Sequence, residues 1–214
     1  MTQSGDAKLV DMTMSGFFDA VAARVSTPGG GAVAGAAGAL AATLARMVAA
    51  YSMDKDKQGD DQDPVWPIAD RLRELDDALR QSIDDDAAAY GAYVAVSKDK
   101  SGTPEAKKKR QEATRQSMGV PMEIAAKSND VLEALESLVA LGNKWLLSDL
   151  EAAAILAEAT VRCAGCSVRV NADMLADSDE AGEARSRMDA MEHGAKRRLS
   201  SILEALGERL KGRA

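Results

Sequence analysis

This chain has few of the residues on which several common kinds of protein depend. Aromatic residues make up 3% of it, and its 214 residues include one histidine and two cysteines. Strands favour aromatic and β-branched residues, whereas the Ala, Leu, Glu, Lys, Arg and Met that are abundant here favour helices. The composition therefore predicts an all-α protein. We expect a single domain over residues 1–214, built as a bundle of long antiparallel helices.

The scarcity of histidine and cysteine argues against two familiar kinds of site. His193 is late in an amphipathic pattern, where we expect a surface position, so neither a Ser-His-Asp triad nor a histidine-rich metal site is predicted. Cys163 and Cys166 form a CxxC motif, but no second pair completes a zinc site, and we interpret both as small residues in a packed helix. Two cysteines in a chain of this size make no disulfide framework. We expect no metal.

An excess of positive charge is also lacking. The formal net charge is −7, and such a surface repels phosphate, so nucleic acid is not an expected partner. The first 12 residues lack the basic and apolar regions of a signal peptide. The uncharged run between Arg24 and Arg46 is long enough to cross a membrane, but its Ala and Gly contribute little transfer energy and Pro28 breaks its start. We predict a cytoplasmic protein with no membrane partner, in which this run is a buried core helix.

The chain has instead a glycine turn followed by a helix of small residues, STPGGGAVAGAAGALAATLA, from Ser26 to Ala45. Gly is the costliest ordinary residue in a helix, and a glycine triplet lets the backbone approach something bulky. The first N–H groups of a helix are open to a ligand. The turn therefore supplies candidate ligand-binding residues: Thr27, Pro28, Gly29, Gly30 and Gly31.

Hydrophobic periodicity and capping signals predict the remaining helices. We expect Ser15 to cap a short first helix, Pro121 to kink or divide a helix over 103–141, Ser148 with Glu151 to form a capping box, and Ser178 to cap the last helix. Polar loops are expected over 53–63 and 97–102. The predicted helices cover about 15–25, 29–51, 64–96, 103–141, 148–170 and 178–210.

Three consecutive aspartates, Asp84 to Asp86, fall within the third predicted helix. Successive residues fan around a helix, so at least one carboxylate must point inward or sideways. We expect Asp84 and Asp85 to be solvated. Asp86 shares a face with Ile83 and Tyr90, and a carboxylate on an apolar face is a candidate for acid/base chemistry.

Several motifs follow one another along the chain, among them STPGGG before the Gly/Ala helix, IDDDAAAY at Ile83–Tyr90 and GNKWLLSD at Gly142–Asp149. In this order they resemble the C-terminal formiminotransferase-cyclodeaminase family, whose free-standing members include methenyltetrahydrofolate cyclohydrolases. Ile83–Tyr90 is similar to the family's Ile-x-x-Asp-x-x-Ala-Phe, and Gly142–Asp149 to its Gly-Asn-x-x-x-x-Ser-Asp. The other matching segments are STPGGG with the Gly/Ala helix, a loop lysine at Lys100, Val120-Pro121, and SVRVNADMLAD at 167–177. Together they extend over nearly the whole chain.

The chain also departs from the family pattern in three places. Ala50-Tyr51-Ser52 replaces Asn-Leu-Thr, Ser167 replaces the first Asn of an Asn-Val motif, and Asp99-Lys100-Ser101 replaces Leu-Pro-Lys. These departures bear on substrate choice and on activity.

The resemblance implies a helical homodimer that takes a tetrahydrofolate derivative as substrate near the subunit interface. It implies chemistry at the one-carbon bridge between N5 and N10 of the folate. As a hypothesis, Asp86 activates water and stabilises the amidinium cation of the methenyl substrate. Lys100 orients that water or donates a proton, and Asp149 accepts hydrogen bonds from the amino and ring N–H donors of the pterin. The implied substrate-binding residues are the glycine turn with Tyr90, Asn143, Ser148, Asp149, Asn171 and Asp177.

Three functions remain open from the sequence. The first is hydrolysis of 5,10-methenyltetrahydrofolate to 10-formyltetrahydrofolate, a cyclohydrolase of one-carbon metabolism. The second is cyclodeamination of formiminotetrahydrofolate, which passes through nearly the same tetrahedral species. The third is a non-catalytic folate-binding helical dimer. A fused formiminotransferase domain normally supplies the formimino substrate of the cyclodeaminase. We expect this chain to be independent of such a domain, so we expect the cyclohydrolase.

Overall fold

The structure is a computed structural model that describes residues 8–54 and 63–211. All regular structure in these two ranges is helical, as the composition predicted. Two single-turn 3₁₀ helices, Leu9–Asp11 and Lys144–Leu146, accompany the longer ones. The α-helices are α1 Met14–Ala22, α2 Gly30–Ala50, α3 Trp66–Ser97, α4 Pro104–Leu141, α5 Leu147–Ala172 and α6 Ser178–Lys211. Most of the polar loop predicted over 53–63 lies outside the described residues.

Helix α2 is the central element and packs against α3, α4 and α5. Ala41, Ala42 and Ala45 on it are completely buried. Its small residues allow close helix approach: a Cβ on Gly38 would lie 3.0 Å from Leu79 Cδ2 of α3. Although α2 is long and apolar enough to span a membrane, 56% of its most apolar window is buried inside the protein. The prediction of a core helix is confirmed.

The other long helices pack around this centre, and α4 runs parallel to α6: Arg115 near the start of α4 binds Glu180 near the start of α6, and Arg209 near the end of α6 donates to the Gly142 carbonyl just after α4. Helix α4 packs against α3, α5 and α2, and α6 covers α4 and α5. The largest fully buried side chains come from every long helix and include Leu72, Leu79, Ile124, Leu132, Leu135, Leu150, Met188 and Ile202. Helix α1 differs, because none of its residues is buried.

The start of α1 differs from the prediction. The Thr13 side chain, and not that of Ser15, accepts the N–H of Gly16 at 3.1 Å. Helix α4 runs through Pro121 without interruption, so of the two predicted effects of this proline, a kink or a division of the helix, the division is wrong. One missing N–H removes one hydrogen bond from a long helix, and the buried face around Pro121 holds the remainder in place.

Two further predicted caps are wrong. Helix α5 follows directly on the 3₁₀ turn and has no side-chain cap, so Ser148 lies inside its first turn rather than before it. Asn143 Oδ1 instead accepts the N–H of Trp145 at 3.0 Å and starts the 3₁₀ turn. At α6, Asp177 Oδ1 accepts the backbone N–H groups of Asp179 and Glu180 at 2.9 and 3.1 Å, so Asp177 takes the capping role predicted for Ser178.

A buried carboxylate joins α2 to α3, and no sequence pattern predicted it. Asp76 is 0% exposed, and its oxygens accept hydrogen bonds from Thr43 Oγ1 at 3.1 Å and Arg80 Nε at 2.7 Å. Arg46 also pairs with Asp76. Since a buried charge is tolerated only when it is paired, this cluster fixes how α2 and α3 align.

Candidate active site

A crevice of about 360 Å³ opens beside the N-terminal end of α2. This volume lies within the range of small-molecule sites. The turn before α2, the first residues of α2 and one face each of α3, α4 and α5 form its walls. The lining residues are Ser26, Thr27, Gly29, Gly30, Gly31, Asp86, Tyr90, Ser117, Cys166, Ser167, Val170 and Asn171.

The glycine turn forms one edge of the crevice. Gly29 precedes the first residue of α2, and its carbonyl accepts the N–H of Val33 at 3.0 Å. The peptide bond between Thr27 and Pro28 is cis. The first N–H groups of a helix have no partner within that helix, so this edge presents backbone donors.

Asp86 extends from α3 toward the start of α2. A Cβ built on Gly31 would lie 1.9 Å from Asp86 Oδ1, so the carboxylate occupies space that only a glycine leaves. Ile83, on the same face, is buried against Gly35. Burial raises the pKa of Asp86 above its usual value, and a hydrogen bond from the Ala32 backbone N–H opposes that rise only in part.

These surroundings suit Asp86 to proton transfer. A half-buried carboxylate with a raised pKa exchanges protons closer to neutral pH than an ordinary aspartate does. It also attracts a positively charged ligand, because such a ligand offsets the cost of keeping the carboxylate ionised in a partly desolvated place. The inward orientation that the helical spacing predicted for Asp86 is confirmed.

An amide and an aromatic ring also line the crevice. Asn171 on α5 is 7% exposed, and its Nδ2 donates to the Ser117 carbonyl of α4 at 3.0 Å. Tyr90, one turn after Asp86, lines the crevice with its ring centroid 6.0 Å from that of Tyr93. The crevice therefore combines one carboxylate with neutral polar groups and flat apolar surface.

The fold brings one group of predicted site residues together: Thr27, Gly29, Gly30, Gly31, Asp86, Tyr90 and Asn171 all line the crevice. Pro28 is buried behind the turn. Lys100 and Asp177 are also absent from the lining. Lys100 is exposed in the loop between α3 and α4, and Asp177 is engaged in capping α6.

Another group lies at the far end of α2. The Asn143 backbone N–H donates to Ser52 Oγ at 2.7 Å, and its Nδ2 donates to the Tyr51 carbonyl at 3.0 Å, so Asn143 sits beside the last turn of α2. Ser148 and Asp149 follow in the first turn of α5. Because α2 has 21 residues, this group is about 30 Å from the glycine turn of the same protomer.

Sequence reasoning missed several crevice residues. Cys166 and Val170 are four positions apart on α5, as are Ser167 and Asn171, and this spacing, which puts two residues on one helix face, was the available signal. Both cysteines belong to a packed helix, α5, as interpreted, but they lie on its exposed face. No sequence pattern indicated that Ser117 would line the crevice.

Two neighbouring predictions have opposite outcomes. Asp85 is exposed and binds Gln81 Nε2 at 2.9 Å, as expected of a solvated aspartate. Asp84 is half-buried instead, and its carboxylate accepts the backbone N–H of Leu9.

His193 is exposed, as predicted. Within residues 8–54 and 63–211, no three His, Cys, Asp or Glu side chains group closely enough to hold a metal ion.

Comparison with known proteins gives the family. A family model described as formiminotransferase-cyclodeaminase matches residues 13–190, which is most of the chain. The chain belongs to the formiminotransferase-cyclodeaminase family. The resemblance inferred from the ordered motifs is thereby confirmed.

Family members of two activities resemble this chain. The formimidoyltransferase-cyclodeaminase of Rattus norvegicus is 31% identical over 209 residues, covering 95% of this chain and 38% of that protein. The chain thus spans less than half the length of that relative. The methenyltetrahydrofolate cyclohydrolase of Methylorubrum extorquens is 29% identical over 183 residues, covering 84% of this chain and 88% of that protein.

A solved structure also matches the fold. The formiminotetrahydrofolate cyclodeaminase of Thermotoga maritima superposes with a TM-score of 0.83 and 27% identity, covering 95% of this chain and 100% of that one. The all-helical architecture is therefore that of a formiminotransferase-cyclodeaminase family member. Cyclohydrolase and cyclodeaminase relatives match with similar identity, so family membership alone does not choose between the two reactions.

Proposed function

We propose that this protein hydrolyses 5,10-methenyltetrahydrofolate to 10-formyltetrahydrofolate and that Asp86 activates the attacking water. The observation that carries the proposal is the Asp86 carboxylate, seated over Gly31 at the crevice with a pKa raised by burial. The match with a bacterial cyclohydrolase over most of both chains supports it.

The reaction needs one group that takes a proton and then returns one. Water adds to the central carbon of the methenyl cation while Asp86 takes a proton from that water. The protonated carboxyl then gives this proton to N5 as the C–N5 bond breaks. The remaining hydroxyl proton leaves to solvent as the formyl C=O forms. Positioned proton transfer of this kind typically contributes about 100- to 10,000-fold.

The charge of the substrate complements the site. The methenyl bridge is an amidinium cation, and an opposite charge close to a carboxylate favours its ionised form. Binding of the substrate therefore opposes the effect of burial on the pKa of Asp86 and favours the ionised carboxylate that the reaction needs as its base. Tyr90 supplies flat surface for the pterin, and Asn171 supplies a polar contact.

We propose a homodimer as the complete catalytic unit. Asn143, Ser148 and Asp149 are about 30 Å from the crevice of their own protomer, so one protomer does not hold both groups of predicted residues at one folate. A second copy that presents its Asp149 to the first copy's crevice completes the pterin contacts. Lys100 lies outside the crevice, so our mechanism assigns both proton transfers to Asp86, and the role of Lys100 stays a prediction.

Cyclodeamination is the second candidate, and the match with the whole Thermotoga maritima cyclodeaminase favours it. In that reaction N10 attacks the formimino carbon and ammonia leaves. The tetrahedral species is nearly the same, so Asp86 would take the proton from N10 and return it to the departing nitrogen.

Two assays on purified protein separate the candidates. Loss of the near-ultraviolet absorbance of methenyltetrahydrofolate, corrected for the rate in buffer, reports the cyclohydrolase. Ammonia released from formiminotetrahydrofolate reports the cyclodeaminase. Folate binding without turnover in either assay would identify a non-catalytic binding protein and contradict the proposal.

A matched pair of variants tests the assignment of Asp86. We expect Asp86→Asn to lower kcat by about 100-fold or more, because the isosteric amide cannot take a proton from water. Asp85→Asn removes a neighbouring exposed carboxylate of the same helix and should leave kcat unchanged. Equal turnover by the two variants would remove Asp86 from its role.

A further inference from the structure

The proline inside α4 leaves one helix carbonyl without its usual partner. In an α-helix the N–H of each residue donates to the carbonyl four residues earlier, and proline has no N–H. Pro121 therefore leaves the Ser117 carbonyl free of its helical hydrogen bond. Both residues are buried, so this carbonyl needs another donor.

Asn171 of α5 supplies that donor. Its Nδ2 lies 3.0 Å from the Ser117 carbonyl oxygen, across 54 residues of sequence. A carbonyl only accepts hydrogen bonds, so the NH₂ of the Asn171 amide must face it. Asn171 is 7% exposed and Ser117 4% exposed, which makes this a buried interaction and a well-defined one.

The orientation of the amide decides what Asn171 offers to a ligand. With one N–H of the amide donated to Ser117, Oδ1 is the acceptor that Asn171 has left to offer in the crevice that it lines. Among the described residues, no protein group donates to that oxygen. Asn171 thus presents an acceptor, which suits an N–H or NH₂ donor on a flat heterocycle.

We propose that Pro121 is a positioning residue: by freeing the Ser117 carbonyl it fixes the Asn171 amide with Oδ1 toward the crevice, where it accepts a hydrogen bond from a ring N–H or amino donor of the folate. The ligand part of this inference rests on the proposed function. Pro121 touches no ligand and acts only through Ser117 and Asn171.

The key variant is Pro121→Ala, which restores the backbone N–H. That N–H competes with Asn171 for the Ser117 carbonyl, so the amide loses its anchor. We expect the Kd for 5-formyltetrahydrofolate to rise by about three- to tenfold, the usual effect of one hydrogen bond. The melting temperature should not fall, because alanine suits a helix interior better than proline does. A purely structural proline predicts no change in Kd.

Pro104→Ala is the matched control, because Pro104 is the first residue of the same helix and frees no carbonyl there. It should leave the Kd unchanged. The decisive comparison is a double-mutant cycle with Asn171→Ala. Once Asn171 is absent, adding Pro121→Ala should change the Kd no further. An equal rise in Kd in both backgrounds would overturn the inference.

One measurement needs no folate. In a nitrogen-15 NMR spectrum of the free protein, the Asn171 side-chain NH₂ resonances should move in Pro121→Ala and stay in place in Pro104→Ala. Unmoved resonances would overturn the positioning role. Failure of the proposed function would instead appear in the wild-type protein, as absence of both folate binding and turnover.

Discussion

The Asp86 carboxylate occupies the place where a side chain on Gly31 would have to be. A Cβ there would lie 1.9 Å from Oδ1 and 2.6 Å from Oδ2, far inside contact distance. The glycine thus lets α3 deliver an acid to the first turn of α2, within reach of the Ala32 N–H. Because Gly31 has no Cβ, the Asp86 carboxylate can lie beside the backbone N–H donors at the edge of the crevice.

Gly31→Ala should therefore disable the enzyme while leaving the fold largely intact. The new Cβ must push the Asp86 carboxylate out of its place, and misplacement of a catalytic group by about 1 Å costs on the order of 100-fold in rate. Measurement of kcat beside a thermal melt tests this. Gly182→Ala, where a Cβ meets nothing within 4 Å, is the control and should turn over normally. Normal turnover by Gly31→Ala would show that the position of Asp86 is unimportant.

The pH dependence of kcat/KM should follow the free-enzyme pKa of Asp86. Burial raises that pKa above 3.8, and the base is active only when ionised, so kcat/KM should fall as the pH drops through the raised value. The spontaneous rate in buffer is subtracted at each pH. Asp86→Asn should remove this limb from whatever activity remains. A limb centred at the ordinary pKa of an aspartate would contradict the burial of Asp86.

The same burial predicts a gain in stability when the charge is removed. A raised folded-state pKa means that ionised Asp86 opposes folding above that pKa, and the penalty disappears once the pH falls below the unfolded value of 3.8. Asp86→Asn should therefore melt at a higher temperature than the wild type near neutral pH. The difference should shrink as the pH is lowered. A variant that melts lower at neutral pH would show that the ionised carboxylate is stabilising.

Asp76 should matter for folding and not for chemistry. Asp76→Ala leaves Arg46 and Arg80 without their carboxylate, and since both arginines are partly exposed, we expect a loss of about 3 kcal/mol, the lower end for a broken buried ion pair. Urea unfolding measures it. The adjacent exposed Asp77 gives the control, Asp77→Ala, which should change stability by less than about 0.5 kcal/mol. Similar losses for both variants would argue against the buried cluster.

A shared site makes a prediction about mixed dimers. Asp86→Asn and Asp149→Asn should each be inactive alone. If one copy supplies Asp86 and the other Asp149, random mixing restores one intact site in half of the dimers, or about a quarter of wild-type turnover. If both residues serve the same site from one copy, mixing restores nothing. Light scattering at the assay concentration checks that dimers are present.

Much of the fold could be predicted because its signals are local. Helix propensity and the 3.6-residue period predicted the long helices, and the same period predicted that Asp86 lies on the face of its helix that carries apolar residues. The glycine turn was visible as a run of residues that are unfavourable in a helix. Caps were less reliable: Thr13 and Asp177 perform the work predicted for Ser15 and Ser178, because neighbouring polar side chains compete for the same few N–H groups.

The sequence by itself determined that the chain is helical, that its second helix is buried, and that an acid accompanies a glycine turn. Only the tertiary structure decided which helix ends meet. The Ser117–Asn171 hydrogen bond and the Asp76 cluster join residues far apart in sequence, and Asn143 with Asp149 proved to lie at the opposite end of α2. Periodicity fixes which residues share a face of one helix, but the packing of whole helices determines which of those faces come into contact.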